Sequence, residues 1–238
     1  MLTQPAIRTQ QSRHFVAPTR GAPPLARPAV SAREASESLA HSLPLMGATI
    51  SYSRNTEIFG EDEPTDYLYK VVSGSVRTYK ILSDGRRQIG GFYLAGDVFG
   101  LESGDEHTFS AEAITDTKLL VVKRSAIGAL ASRDAAIARE LFHLTSRELQ
   151  RMQARVLLLV KSAQERVASF LLEMAERASA DNIVELPMSR QDIADYLGLT
   201  IETVSRTLSG LETAAAIEVP TSRRIVLRNR PALNRLNS

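Results

Sequence analysis

The stretch GLTIETVSRTLSGL, Gly198 to Leu211, carries an acid, a hydroxyl and a guanidinium at helical spacing. Read as a helix, Ile201, Val204, Leu208 and Leu211 form one apolar stripe, and Glu202, Ser205 and Arg206 share the opposite face at steps of three and four. These three groups suit one kind of chemistry. An arginine donates two parallel hydrogen bonds to O6 and N7 of guanine. A carboxylate accepts from the amino group of cytosine, and a hydroxyl reaches a base edge or a phosphate. All three lie in the first two turns, the part of a recognition helix that enters the major groove. The competing reading is a surface pair of Glu202 with Arg206, the acid also sitting favourably near a helix N-terminus.

The neighbouring residues favour the first reading. SRQDIADYLGL is predicted as a helix with Ser189 as N-cap and Asp192 three residues on, a capping-box arrangement. Gly198 breaks it where a left-handed backbone is needed, and Thr200 caps the next helix. Ala194 is small where the two helices must approach, and Ile193, Leu197, Leu199, Val204 and Leu208 supply a shared core. Two helices joined this way make a helix-turn-helix. IEVPTSRRIVLRN then reads as a hairpin turning through Pro220 to Ser222. The chain's net charge is only +2, yet from Val219 onward Arg223, Arg224, Arg228, Arg230 and Arg235 stand with no acid among them. That is a local basic cluster beside the helix pair.

Other chemistries find less support. The 238 residues include no cysteine, which excludes disulfides, thiolate-bound zinc and iron–sulfur clusters in this chain. His14, His41, His107 and His143 are scattered, without the spacing of a metal site. A metal-holding barrel enzyme wants clustered histidines and a carboxylate, and His107 stands alone in the barrel segment. No catalytic residue, metal or cofactor is expected. Apolar residues at 43% allow a packed core. No apolar run is long enough to span a bilayer and no secretory leader pattern opens the chain, so a cytoplasmic protein with no membrane partner is expected.

The positioning elements follow in order. Residues 1–44, rich in Pro, Ala, Arg and Ser, are expected to be disordered. From about Ala48 to Val122, short β-branched and aromatic runs are broken at Gly74, Asp84-Gly85, Gly96-Asp97 and Gly100, the pattern of a small barrel or jelly roll. From about Arg124 to Val160 the signal is one long helix. Phe142, Thr145, Leu149, Met152, Val156 and Leu159 form a heptad-like seam, and Ile137, Leu141 and Leu144 a second stripe. Two stripes on one helix need two partners: one packs on the barrel and the other pairs with a second copy. QERVASFLLEMAERAS is a further amphipathic helix.

With RQDIADYLGLTIETVSRTLSGLE, the GDVFG turn, the long helix and the terminal hairpin in this order, the chain resembles the cAMP receptor protein/FNR family over residues 45–238, and ETVSR places it nearest the FixK branch. The resemblance implies an α+β fold: a cyclic-nucleotide-binding-like β-roll (45–130), a dimerisation helix (131–161) and a C-terminal winged helix-turn-helix (162–238). It implies a homodimeric transcription activator of low-oxygen respiration or nitrogen-fixation genes, on a two-fold symmetric site of the form TTG, eight bases, CAA. By position, Ile201, Glu202, Ser205 and Arg206 would read bases, Ile201 through a thymine methyl. Ser189, Arg190, Gln191, Thr200, Thr203, Ser222 and Arg223 would hold phosphates. RNA polymerase would be met by the loop at Ala178–Ile183 and the Ser83–Arg87 hairpin.

Departures from the family pattern bear on control. A cyclic-nucleotide site needs an acid after the FG turn and then an Arg-Ser pair for the phosphate. Here Leu101 follows Gly100, the Arg-Ser positions fall near His107 and Thr108, and no Arg or Lys stands between Arg87 and Lys118. A buried phosphate would lack its charged partner, so no cyclic nucleotide is expected. Haem would need an axial ligand, and His107 and His143 read instead as surface or helix-face histidines. A dimer competent without a small ligand is the expectation. The alternatives are an effector-gated regulator with an unidentified ligand in the β-roll, or a repressor.

Overall fold

A computed structural model describes residues 43, 45–158, 160–177 and 182–237. Expectations for residues 1–42 and for Leu159 lie outside the described residues, as does most of the Ala178–Ile183 loop.

Eight short strands build a β-roll of two antiparallel four-stranded sheets. They are β1 (Gly47–Tyr52), β2 (Glu57–Phe59), β3 (Tyr67–Ser73), β4 (Ser75–Ile81), β5 (Arg87–Leu94), β6 (Val98–Phe99), β7 (Ser110–Ala113) and β8 (Thr117–Lys123). The sheets run β1-β8-β3-β6 and β2-β7-β4-β5. The turn glycines do what their positions require. Gly74 joins β3 to β4 at φ 86°, and a Cβ there would lie 2.5 Å from the Asp116 carbonyl oxygen. The two-residue alternation of a strand sorts the apolar side chains of β3 and β8. Tyr69, Val71 and Leu119 fill the roll with Phe59, Val76 and Phe99. Leu68, Leu120 and Val122 face outward, under the helices.

The long helix is two helices. Strand β8 runs into α1 (Arg124–Ala131), the chain turns at residues 132–134, and α2 spans Ala135–Leu158. The expectation of one continuous helix is corrected by Asp134, whose Oδ1 accepts from the Ala136 amide at 2.8 Å and starts a new helix. Ile137 is buried against Leu68, Leu120, Val122 and Ile127, with Leu141 and Leu144 packed beside it. The other stripe is bare: Phe142 is 69% and Val156 63% exposed, and Leu149 and Met152 are exposed with them.

Helix α3 (Ala163–Arg177) leads to β9 (Ile183–Glu185), α4 (Arg190–Leu197), α5 (Ile201–Thr213), β10 (Ile217–Thr221), β11 (Arg224–Leu227) and α6 (Arg230–Asn237). The terminal hairpin turns at Ser222 and Arg223, later than expected, because Pro220 and Thr221 still belong to β10. NIVELPM supplies β9, a third strand in the order β10-β11-β9. The core is continuous from roll to helices: Phe92 of β5 lies 6.2 Å from Phe170 and 5.1 Å from Tyr196, ring centre to ring centre. Among the described residues no helix is long and apolar enough to cross a membrane.

Candidate nucleic-acid interface

Helix α4 begins with the expected capping box. The Ser189 hydroxyl accepts from the Asp192 amide at 3.1 Å, and Asp192 Oδ2 accepts from the Ser189 amide at 2.9 Å. It ends at Gly198, φ 65° and ψ 40°, the left-handed conformation that lets the chain reverse in three residues. Arg166 of α3 donates to the Leu197 carbonyl at 2.9 Å, satisfying a helix-end acceptor. Thr200 then caps α5, its hydroxyl accepting from the Thr203 amide at 3.2 Å. Ile193, Ala194, Leu197, Val204 and Leu208 are buried between the helices, and Leu199 is half-buried at the turn.

This frame fixes which side chains remain outside. Glu202 and Arg206 are exposed on the first two turns of α5. Arg206 makes no hydrogen bond or ion pair within the described residues. The Glu202 carboxyl is held below its ordinary range by its own amide, then by the Thr200 hydroxyl and Arg206, so it is an acceptor at neutral pH. Ser205 differs from the expectation of a fully exposed group. It is half-buried, 3.4 Å from the Arg190 guanidinium, which crosses from the start of α4. Ile201 departs from the apolar stripe: it is 37% exposed, beside Glu202 rather than in the core with Val204, Leu208 and Leu211.

The residues expected to hold phosphates surround this surface unevenly. Ser189, Gln191, Thr200 and Ser222 are exposed, and Thr203 is half-buried with its hydroxyl 3.1 Å from that of Thr200. Gln191 donates to Asp195 at 2.7 Å. Arg223 is half-buried and donates to the Pro187 carbonyl at 2.8 Å. The basic cluster is partly neutralised, since Arg228 pairs with Glu218 and Arg224 lies 3.4 Å from Glu185. Sequence reading missed that pairing, because Glu218 and Glu185 meet these arginines only through the hairpin and β9.

Sequence reading also missed what stands behind α4. Arg77, Arg87 and Gln88, from β4 and β5 of the roll, all reach that helix. Arg87 is thereby withdrawn from the Ser83–Arg87 turn that was expected to face a polymerase. No local signal marks these residues: an arginine in a strand looks the same whether it meets water or a distant aspartate.

Between the roll and α2 lies a cavity of about 240 Å³, lined by Tyr93, Leu101, Phe109 and Met152 with Glu102, Glu148 and Arg155. Arg155 donates to the Gly90 carbonyl and lies over the Tyr196 ring at 4.8 Å. His107 is 1% exposed, stacked on Phe59 at 3.6 Å with Nδ1 3.4 Å from Glu102. It is a core residue, which corrects its reading as a surface histidine, whereas His143 is exposed.

Comparison with known proteins agrees with this architecture. Residues 49–134 match the cyclic nucleotide-binding domain and residues 165–236 the Crp-like helix-turn-helix domain. The chain is 52% identical over 199 residues to the nitrogen fixation regulation protein FixK of Azorhizobium caulinodans, covering 81% of this chain and 80% of that one. It is 41% identical over 187 residues to FixK of Rhizobium meliloti, covering 78% and 85%. The solved structure of FixK2 from Bradyrhizobium japonicum superposes with a TM-score of 0.78 at 53% identity, over 81% of this chain and 98% of that one. A CooA variant from Carboxydothermus hydrogenoformans, 21% identical over 83% of this chain and 90% of its own with a TM-score of 0.70, shares the fold. The chain belongs to the FixK branch of the cAMP receptor protein/FNR family of DNA-binding transcription regulators.

Proposed function

We propose that the protein is a homodimeric activator of nitrogen-fixation or low-oxygen respiration genes. It acts in the cytoplasm on a two-fold symmetric site of the form TTG, eight bases, CAA, through contacts with RNA polymerase. The observation that carries this reading is the side-by-side placement of Glu202 and Arg206, both exposed, on the first two turns of a helix whose other face is locked in a core. Arg206 reads guanine and Glu202 accepts from cytosine. Ile201 offers a methyl-sized apolar contact, and Ser205 is presented together with Arg190. Ser189, Arg190, Gln191, Thr200, Thr203, Ser222 and Arg223 set the register on phosphates. The bare stripe of Phe142, Thr145, Leu149, Met152 and Val156 supports dimerisation along α2; Leu159 extends the same sequence pattern.

Binding without an effector is part of the proposal. Arg155, the cation lining the cavity, is already engaged by Gly90 and Tyr196, and Glu102 and Glu148 would repel a cyclic phosphate. The cavity itself favours a second reading, an effector of another class that occupies it. Fluorescence anisotropy with no added ligand tests both. A duplex with TTG and CAA eight bases apart should bind tightly and a scrambled duplex weakly. Arg206→Ala should weaken specific binding by about 1–3 kcal/mol, with little change on the scrambled duplex. Affinity that rises tenfold or more with a small ligand would replace the first reading by the second.

A further inference from the structure

The helix pair is tied to the β-roll by buried and half-buried ionic contacts. Arg77 and Arg87 both reach Asp192 Oδ1, at 3.1 and 2.6 Å. Arg87 also meets Asp195 Oδ2 at 2.7 Å, and Gln88 donates to the Asp195 backbone carbonyl at 2.8 Å. Glu112 of β7 holds the other end of Arg77 at 2.9 Å. Asp192 is 3% exposed and divides its two oxygens: Oδ2 caps α4, and Oδ1 takes both arginines.

The placement of these contacts gives them a consequence beyond stability. Through Ile137, Leu141 and Leu144 the roll is packed on α2, the helix that carries the bare stripe. Covalently, α2 and α3 are joined only by the short connection from Leu158 to Ala163. The Phe92, Phe170 and Tyr196 contacts resist separation of the layers but have little preferred direction, and the directional Asp97–Arg177 pair holds α3 rather than the helix pair itself. Charge-assisted hydrogen bonds are directional, and a buried set with several partners fixes one register. We propose that Arg77 and Arg87 are positioning residues that orient each helix pair on its roll, so that the β-roll, which touches no base, determines the half-site spacing the dimer accepts. This rests on the reading of the protein as a dimer on a symmetric site.

The test measures affinity for three duplexes, with TTG and CAA separated by seven, eight or nine bases. The full-length protein is compared with Arg87→Ala, Arg87→Lys, Asp195→Ala and the double variant Arg87→Ala/Asp195→Ala. The unsubstituted protein should prefer eight bases by about tenfold or more. Arg87→Ala should lose about tenfold on that duplex while changing less than about twofold on the other two, so the preference flattens. Asp195→Ala, which leaves the Arg87–Asp192 contact in place, should flatten the preference in the same direction but less, and the double variant should be no worse than Arg87→Ala alone, since Asp195 acts through its contact with Arg87. Arg87→Lys should recover part of the preference. A merely structural role would lower affinity equally on all three duplexes, and that result would overturn the proposal, as would an unchanged preference in Arg87→Ala. If the unsubstituted protein had no spacing preference, the symmetric-site reading would fall, and this inference with it.

Discussion

Arg206 and Glu202 stand clear of the protein because Val204, Leu208 and Leu211 take the opposite side of α5 into the core. Their placement depends on the backbone reversal at Gly198. Gly198→Ala would hold a Cβ in the left-handed region and should destabilise the protein by about 1–2 kcal/mol in urea unfolding, with Glu202 and Arg206 themselves unchanged. At this scale much was legible from sequence. The capping box, the glycine and the exposed pair obey rules that span a few residues. Ser205 was less so, since its partner Arg190 lies fifteen positions away and meets it only after the helices fold. The burial of His107 against Phe59 was not legible either, because that stack closes between distant strands.

At the level of elements, α2 is the informative case. Its two stripes were readable from periodicity, and the structure buries Ile137 while leaving Phe142, Leu149, Met152 and Val156 in solvent. Leu149→Arg should therefore leave the fold intact by circular dichroism, yet sediment as a monomer and lose affinity for the two-half-site duplex. Sedimentation as a dimer would move the interface elsewhere. The break between α1 and α2 escaped because no glycine or proline marks it. Asp134 suffices as a cap, and an aspartate within a helical pattern is locally ambiguous. The strands were legible through their turns, but β9 was not placed in a sheet: three residues carry too little pattern to name a partner.

Across the whole molecule, Asp97 gathers three elements. The aspartate of the GDVFG turn accepts from the Leu94 amide at 2.8 Å, pairs with Arg177 of α3 at 2.6 Å and with Arg151 of α2 at 3.1 Å. Burial works to raise its carboxyl, but Arg177, the Leu94 amide and Arg151 outweigh that and hold it below the ordinary value of 3.8. A carboxyl lowered by folding contributes stability that is complete above the unfolded value and lost as pH falls through the folded one. Asp97→Asn should thus be about 2 kcal/mol less stable at pH 7, the cost of leaving two half-buried arginines short of a partner. Its deficit should shrink as the solution is taken below about pH 3.8, read by thermal melting across pH. A deficit constant with pH would show that the ion pairs do not carry the effect. None of this was legible in advance, since GDVFG marks a turn but not what the aspartate would hold.

The aromatic contact of Phe92 with Phe170 and Tyr196 bears on how such proteins can be recombined. The match to two separate domain families invites treating roll and helix pair as exchangeable cassettes. Here they share one hydrophobic interior, sealed at its edge by arginines of one part and aspartates of the other. A graft of this reading head onto a foreign roll would inherit the address, but it would carry an uncovered tyrosine and two unneutralised acids to the seam. Compatible exchange therefore means moving the seam, with β4 and β5 travelling alongside the helices they hold.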